Sequence, residues 1–173
     1  ATGPFSDQVR ALFDLPPALK LTQGIHLIVP RAALPIDHAY VLSDPKLHRI
    51  LFAIPWNEVT YFGTTDTDIR KVEDARTQEA DVSYVLRIVN ENFRTKITPN
   101  QIIQSWAGVR PLIQPKAGEV SNSQISREHR IDEGPENVFH ILGGKLTSHR
   151  EIALEAVDLL AEKDPKIRRS RTA

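Results

Sequence analysis

Three basic side chains stand where the sequence predicts β-strands, and their chemistry suits an anionic ligand and proton transfer. Arg110 lies between a short apolar stretch and a proline, Arg127 follows a serine, and His26 lies between two apolar residues. Two guanidinium groups can hold a phosphate through paired hydrogen bonds, and an imidazole exchanges a proton near neutral pH. The alternatives are arginines exposed at strand ends and a histidine satisfied within a core. The pattern of single residues leaves both interpretations open.

A second candidate is the run Gly143-Gly144-Lys145-Leu146-Thr147, between a predicted strand and a predicted helix. A helix N-terminus presents free N–H groups that suit an anionic or electron-rich ligand. The run is not a nucleotide phosphate loop, because Phe139 stands where such a loop needs its first glycine and Leu146 where it needs serine or threonine. A plain glycine turn is the alternative.

Composition excludes several classes of site. The chain of 173 residues has no cysteine, which excludes disulfides, thiolate metal sites and a cysteine nucleophile. It has 22 basic and 22 acidic residues, so no net basic surface indicates nucleic-acid binding. Asp66 and Asp68 do not begin a calcium loop, because Arg70 occupies the next ligand position, and the histidines lack zinc-site spacing. No metal and no membrane-spanning segment are expected.

The strands and helices that would position these residues can be predicted from the sequence. Together they indicate an α+β fold with a large, mainly antiparallel sheet and flanking helices. Short apolar runs bounded by glycine, proline or asparagine predict strands at 24–30, 39–42, 49–56, 58–65, 102–112, 123–131 and 138–142. Helical periodicity predicts a helix over 77–93, with Thr77 as its N-cap, and a second helix over 146–162. The residues expected on the buried face of the second helix are Ile152, Ala153, Ala156, Leu159 and Leu160.

The motifs occur in an order that carries a family resemblance. They are Ala1-Thr2-Gly3-Pro4, Gly24–Arg31, Ile54-Pro55-Trp56, Gly63-Thr64-Thr65-Asp66, Trp106–Leu112, Ser126-Arg127 and Gly143–Thr147. In this order the sequence resembles, over residues 1–161, the C-terminal half of the catalytic part of FAD-dependent glycerol-3-phosphate dehydrogenases. Each motif is weak alone, whereas the ordered set is specific.

The resemblance implies a two-domain flavoprotein. Residues 1–20 and 111–165 are expected to be pieces of an FAD domain, 21–110 a substrate-binding domain, and 166–173 a basic tail. No G-x-G-x-x-G motif occurs in the chain, so the part that holds the ADP end of FAD is expected upstream. The chain is therefore expected to be a piece of a longer protein and inactive by itself.

The implied reaction is oxidation of sn-glycerol 3-phosphate to dihydroxyacetone phosphate, with hydride transfer to FAD and electrons passed to a membrane quinone. His26 is expected to take the hydroxyl proton, and Lys145 to stabilise either reduced flavin or the substrate oxygen. Arg110 and Arg127 are expected to bind the phosphate, and Thr65 and Asp66 to line the pocket. The residues expected to contact FAD are Gly3, Pro4, Gly143, Gly144, Leu146 and Thr147.

The resemblance also implies a peripheral protein of the cytoplasmic membrane face or the mitochondrial inner membrane, with possible homo-oligomers. Two other classes stay open on the sequence. One is a stand-alone module that binds a phosphate or another anion without catalysis. The other is a structural module with a basic tail, which is either a solvated chain end or a contact to anionic lipid.

Overall fold

The structure, a computed structural model, describes residues 1–47, 49–114 and 128–169. Within these ranges the strands are β1 (Leu19–Pro30), β2 (Tyr40–Asp44), β3 (Arg49–Trp56), β4 (Val59–Gly63), β5 (Thr67–Asp68), β6 (Gln104–Ile113), β7 (His129–Glu133) and β8 (Phe139–Gly143). The α-helices are α1 (Ser6–Ala11), α2 (Glu79–Asn92) and α3 (His149–Lys163). Short 3-10 turns cover Gly3–Phe5, Val72–Asp74, Pro99–Gln101, Pro135–Asn137 and Leu146–Ser148.

The chain divides into two compact units, one of residues 1–20 with 111–173 and one of residues 21–110. We call them the first and the second unit. The expected division into an FAD domain, a substrate-binding domain and a basic tail stays a prediction. No helix among the described residues is long and apolar enough to cross a membrane.

The second unit is built on a sheet with the strand order β2-β3-β4-β1-β5, and β6 also pairs with β1. The registers of β1 with β4, β3 with β4, and β2 with β3 are all antiparallel. A turn at Asn57, whose φ is +50°, joins β3 to β4. Phe52, Gly63 and His26 lie in one row across β3, β4 and β1. The predicted α+β fold with a mainly antiparallel sheet is confirmed.

The two faces of this sheet differ because side chains alternate along a strand. Ile25, Leu27 and Val29 of β1 have no exposed surface and belong to the apolar core with the buried side of α2. His26 lies between them in sequence and projects to the opposite face. Burial of one face against α2 therefore leaves the other face available for a site.

Two element boundaries in the second unit differ from the sequence prediction. Strand β1 begins at Leu19 and continues through Gly24, where the sequence predicted a start. Helix α2 begins at Glu79 and has Gln78, not Thr77, as its N-cap. Gln78 makes no side-chain capping bond, so the preference for threonine caps did not decide where this helix starts.

The first unit contains the β7–β8 hairpin with α1 and α3. The predicted buried face of α3 is wrong, because no residue of α3 is fully buried and Ala153 is exposed. The helix meets the hairpin through Ile152, near Gly144, through an ion pair of Glu133 with Lys163, and through a hydrogen bond between His129 and Glu155. A hairpin is too narrow to cover a whole helix face.

Candidate functional site

The guanidinium group of Arg110, on β6, is held by the segment that follows β4. Its Nη2 donates to Thr64 Oγ1 at 2.9 Å, and its Nη1 donates to the Thr65 carbonyl oxygen at 3.1 Å. The Asp66 carboxylate lies 3.7 Å from Nη1. These contacts fix the orientation of a cationic group whose side chain is 25% exposed. Arg110 is therefore neither an exposed strand-end charge nor fully buried.

Gly24 makes room for this arrangement. A Cβ atom at position 24 would lie 2.2 Å from both Arg110 Nη2 and Thr64 Oγ1. Strand β1 can pass beneath the guanidinium group only because residue 24 has no side chain. This also explains why β1 continues through a glycine that the sequence suggested as a boundary.

Thr65 and Asp66 hold in place the segment after β4, which accepts the hydrogen bonds of Arg110. Thr65 is only 2% exposed, and its Oγ1 accepts a hydrogen bond from the Ile25 N–H at 3.1 Å. The Asp66 carbonyl accepts a hydrogen bond from Arg49 Nη2 at 3.2 Å. The structure thus gives Thr65 a positioning role towards Arg110, and a direct substrate contact of Thr65 or Asp66 stays a prediction.

His26 lies in an aromatic setting on the same face of the sheet. Its ring stacks on Trp106 with centroids 4.9 Å apart and an interplanar angle of 19°. Tyr61 approaches at 6.2 Å with an angle of 65°. His26 Nδ1 is buried and has no hydrogen-bond partner in the described part of the chain. His26 therefore differs from a core histidine that is held by a hydrogen bond at Nδ1.

The surroundings of His26 favour its neutral form. Burial lowers the pKa of His26 below its usual value, and the positive charge of Arg110 lowers this pKa further. A neutral imidazole at pH 7 can accept a proton. Since Nδ1 is buried, Nε2 is the ring nitrogen that can meet a ligand.

In the first unit, Gly143 and Gly144 form the turn between β8 and α3. Their φ values are +64° and +87°, and a Cβ at Gly144 would lie 2.6 Å from Ile152 Cδ1. Both glycines are therefore required by backbone geometry and packing, as in the glycine-turn alternative.

The residues after this turn are accessible. Lys145, Leu146 and Thr147 are exposed, Leu146 to 88%. The Lys145 carbonyl accepts a hydrogen bond from the Ser148 N–H at 3.0 Å, which closes a 3-10 turn. The predicted helix start at Leu146 is therefore wrong, and α3 begins at His149.

The predicted cofactor contacts Gly3 and Pro4 also lie in the first unit, in the 3-10 turn before α1. Gly3 has a φ of +56°, and a Cβ there would meet nothing within 4 Å. Thr2 Oγ1 donates to Ser6 Oγ at 3.1 Å and closes this turn. Gly3 is thus required by its backbone angle and faces open space.

The structure brings together His26, Arg110, Thr65 and Asp66 in the second unit, and places Gly3, Pro4 and the Gly143–Thr147 run in the first. Arg127 lies outside the described residues. Among the residues that are described, no group of three or more His, Cys, Asp or Glu side chains is arranged to hold a metal ion.

Sequence reasoning assigned no role to Gly24, Thr64, Tyr61 or Trp106, although Gly24, Thr64 and Trp106 lie in the motifs that carried the resemblance. The signal available for Trp106 was its place four residues before Arg110. On one strand this spacing puts both on the same face.

A face of an antiparallel sheet that offers an oriented guanidinium and a neutral histidine suits an anionic ligand that gives up a proton. Residues 1–159 match the family described as FAD dependent oxidoreductase, and the chain belongs to this family. The family cofactor agrees with the predicted FAD.

Two relatives of the chain carry names that specify a substrate. The chain is 39% identical to a Staphylococcus epidermidis protein named "Aerobic glycerol-3-phosphate dehydrogenase", over 94% of this chain and 30% of that protein. It is 32% identical to the Dictyostelium discoideum "Probable glycerol-3-phosphate dehydrogenase, mitochondrial", over 94% of this chain and 27% of that protein.

A solved structure supports the same likeness. The glycerol-3-phosphate dehydrogenase from Bacillus halodurans, complexed with FAD, is 31% identical and superposes with a TM-score of 0.82. The match covers 99% of this chain and 33% of that one. The chain thus spans about a third or less of the proteins it resembles.

Proposed function

We propose that the second unit is the substrate-binding part of an FAD-dependent dehydrogenase that oxidises sn-glycerol 3-phosphate to dihydroxyacetone phosphate. The observation that carries the proposal is the pairing, on one sheet face, of the clamped Arg110 with the neutral His26. The names of the relatives agree with this substrate.

Arg110 supplies the positive charge that a phosphate dianion needs. Thr64 and Thr65 hold its guanidinium group in place before the substrate arrives, which lowers the entropy lost on binding. Asp66 lies beside the group without reaching hydrogen-bond distance of Nη1. The guanidinium keeps its positive charge in this position, and a hydrogen bond between a guanidinium and a phosphate is strengthened by charge.

His26 accepts the proton of the C2 hydroxyl. Its lowered pKa keeps the imidazole neutral at pH 7, and its Nε2 takes the proton while the C2–H bond breaks. FAD, when bound, accepts the hydride from C2. Proton and hydride thus leave the same carbinol group for different acceptors.

The exposed residues ahead of α3 have the chemistry that suits a flavin. Lys145 offers a cation, Thr147 a hydroxyl and Leu146 an apolar surface. A flavin ring system carries an electron-rich edge and apolar faces. We therefore propose that Lys145–Thr147, with the turns at Gly3-Pro4 and Gly143-Gly144, hold FAD, and that Lys145 stabilises negative charge there or on the substrate oxygen.

We extend the proposal to a membrane quinone as the electron acceptor, and to peripheral attachment at the cytoplasmic membrane face or the mitochondrial inner membrane. The words "aerobic" and "mitochondrial" in the names of the relatives support this extension. Homo-oligomers remain part of the prediction.

The experiment is an assay of the complete protein with FAD, in which glycerol 3-phosphate reduces either a soluble quinone analogue or an artificial dye. Arg110→Ala should lower kcat/KM for glycerol 3-phosphate by about 10- to 100-fold, because a phosphate would lose a charged hydrogen-bond partner. Arg110→Lys keeps the charge but loses the fork that Thr64 and Thr65 hold, so its loss should be intermediate.

Two controls separate phosphate binding from general damage. Arg70→Ala removes an exposed arginine of the same unit and should leave kcat/KM unchanged. Glycerol, which has no phosphate, should be oxidised as poorly by Arg110→Ala as by the wild type. A change of less than about threefold for Arg110→Ala would rule out the phosphate role. Binding of glycerol 3-phosphate without any turnover would favour the anion-binding module instead.

A further inference from the structure

The stacked pair of His26 and Trp106 raises a question about the protonated state of His26. A general base usually has its second ring nitrogen hydrogen-bonded to a carboxylate or a carbonyl, which stabilises the imidazolium that forms. His26 Nδ1 is buried and finds no such partner among the described residues. Some other group must stabilise the charge that His26 gains.

The charged neighbours of His26 do not supply this stabilisation. Arg110, on β6, repels a second positive charge, and the Asp66 carboxylate lies 3.7 Å from Arg110 Nη1. Tyr61, on β4, is the titratable ring that faces His26, and it approaches at an angle of 65°. The π face of Trp106 lies parallel to the imidazole at a centroid distance of 4.9 Å.

We propose that Trp106 is a positioning residue of the reaction, whose indole face orients the His26 ring and stabilises the imidazolium that forms when the substrate hydroxyl gives its proton to Nε2. The O–H bond breaks and an N–H bond forms at Nε2, while the C2 hydride carries two electrons to the oxidised flavin. A cation over an indole face within about 6 Å is attracted by the ring quadrupole. The catalytic role of Trp106 rests on the proposed function, whereas its effect on the charge of His26 rests on the stacked geometry alone.

The test is the pH dependence of His26 modification by diethylpyrocarbonate, which acylates neutral imidazole, followed peptide by peptide by mass spectrometry in the complete protein without substrate. The midpoint of this curve gives the pKa of His26, and its plateau gives the accessibility of Nε2. Trp106→Leu should lower the midpoint by about 0.5–1 pH unit, and Trp106→Phe by less.

The sign of the shift decides between two roles of Trp106. If the indole only covers His26, its removal admits water and the pKa rises towards its ordinary value. A midpoint that stays or rises in both variants would therefore overturn the proposal. Trp106→Phe decides the case if Trp106→Leu does not fold, which would appear as lost amide-exchange protection of Ile25 and Leu27, core residues of the second unit. Tyr61→Phe keeps the edge contact and should leave the midpoint in place.

Kinetics of the same variants keep this inference separate from the proposed function. In an active enzyme the acid limb of kcat/KM should move to lower pH in Trp106→Leu, together with the midpoint of modification. If the midpoint moves as expected and glycerol 3-phosphate is not oxidised even by the wild type, the proposed function fails while the electrostatic role of Trp106 stands.

Discussion

At the scale of single residues, Gly24 leaves the space that the guanidinium group of Arg110 occupies. A Cβ at Gly24 would lie 2.2 Å from Arg110 Nη2. We expect Gly24→Ala to displace the flexible end of Arg110, and so to lower kcat/KM for glycerol 3-phosphate about as much as Arg110→Ala, roughly 10- to 100-fold. The same Cβ would lie 2.2 Å from Thr64 Oγ1, so this hydroxyl must turn aside as well. Because both contacts are with side chains and not with the backbone, the melting temperature should fall less than in Gly63→Ala. Steady-state kinetics and thermal unfolding measure the two effects.

Two other glycines of the same sheet face serve as controls for that variant. A Cβ at Gly108, on β6, would meet nothing within 4 Å, so Gly108→Ala should not lower the melting temperature. A Cβ at Gly63 would lie 2.5 Å from the Ile25 carbonyl oxygen, which cannot move aside, so Gly63→Ala should destabilise the fold. A Gly24→Ala protein with wild-type kinetics would show that Arg110 does not need this space.

The sequence indicates His26 and Arg110 because a proton-exchanging imidazole and a charged guanidinium are unusual within apolar predicted strands. It does not indicate Thr64, although Thr64 Oγ1 receives Arg110. The contact joins residues 46 positions apart and depends on β1 pairing with both β4 and β6. No local pattern encodes that coincidence, and only the ordered family motifs bring both residues into one set.

At the scale of elements, a buried amide joins β1 to the first turn of α2 and to the segment before it. Gln23 has no exposed surface, and its Nε2 donates to the Arg76 carbonyl at 3.0 Å and to Asp81 Oδ2 at 3.2 Å. Its Oε1 accepts from the Arg76 N–H at 3.0 Å. Gln23→Leu should lower the free energy of unfolding by about 1–3 kcal/mol, because these groups lose their partner. Chemical denaturation measures the loss.

Gln104→Leu is the matched control, since Gln104 is an exposed residue of β6. It should change the free energy of unfolding by less than about 0.5 kcal/mol. If both variants unfold at the same denaturant concentration as the wild type, the buried amide does not tie β1 to this segment.

The sequence predicts the bounds of a strand correctly where an apolar run ends at a recognisable turn. Strand β3 has the predicted bounds Arg49–Trp56, because its apolar run ends at a tight turn. Helix α3 was predicted three residues too early, because Leu146–Ser148 continue the helical pattern in sequence but form a 3-10 turn. Local periodicity does not distinguish the two geometries over one turn.

At the scale of the whole molecule, the described part of each unit contains a histidine whose environment opposes protonation. His26 belongs to the second unit and His140 to the first. His140 is 5% exposed and meets the ring of Phe13 edge-on at 5.9 Å. Burial lowers the pKa of His140, and the charge of Arg10 lowers it further, although Asp132 acts in the opposite direction. Each unit therefore carries its own sensitivity to acid.

The pH dependence of stability follows from these lowered pKa values. Below the ordinary histidine pKa of about 6.5, the unfolded chain binds a proton that the folded chain does not, so the free energy of unfolding falls as the pH drops. The loss continues down to the lowered pKa, with a slope of up to about 1.4 kcal/mol per pH unit for each histidine. Above about pH 7 both states are neutral and the histidines add no slope.

Replacing His140 should flatten this dependence in the first unit alone. We expect amide hydrogen exchange of β8, corrected for the intrinsic exchange rate, to show a smaller loss of stability between about pH 7 and pH 5 in His140→Leu than in the wild type. His38→Leu replaces an exposed histidine of the second unit and should leave the slope in β8 unchanged. A slope in β8 that survives His140→Leu would mean that other groups of the first unit control its response to acid.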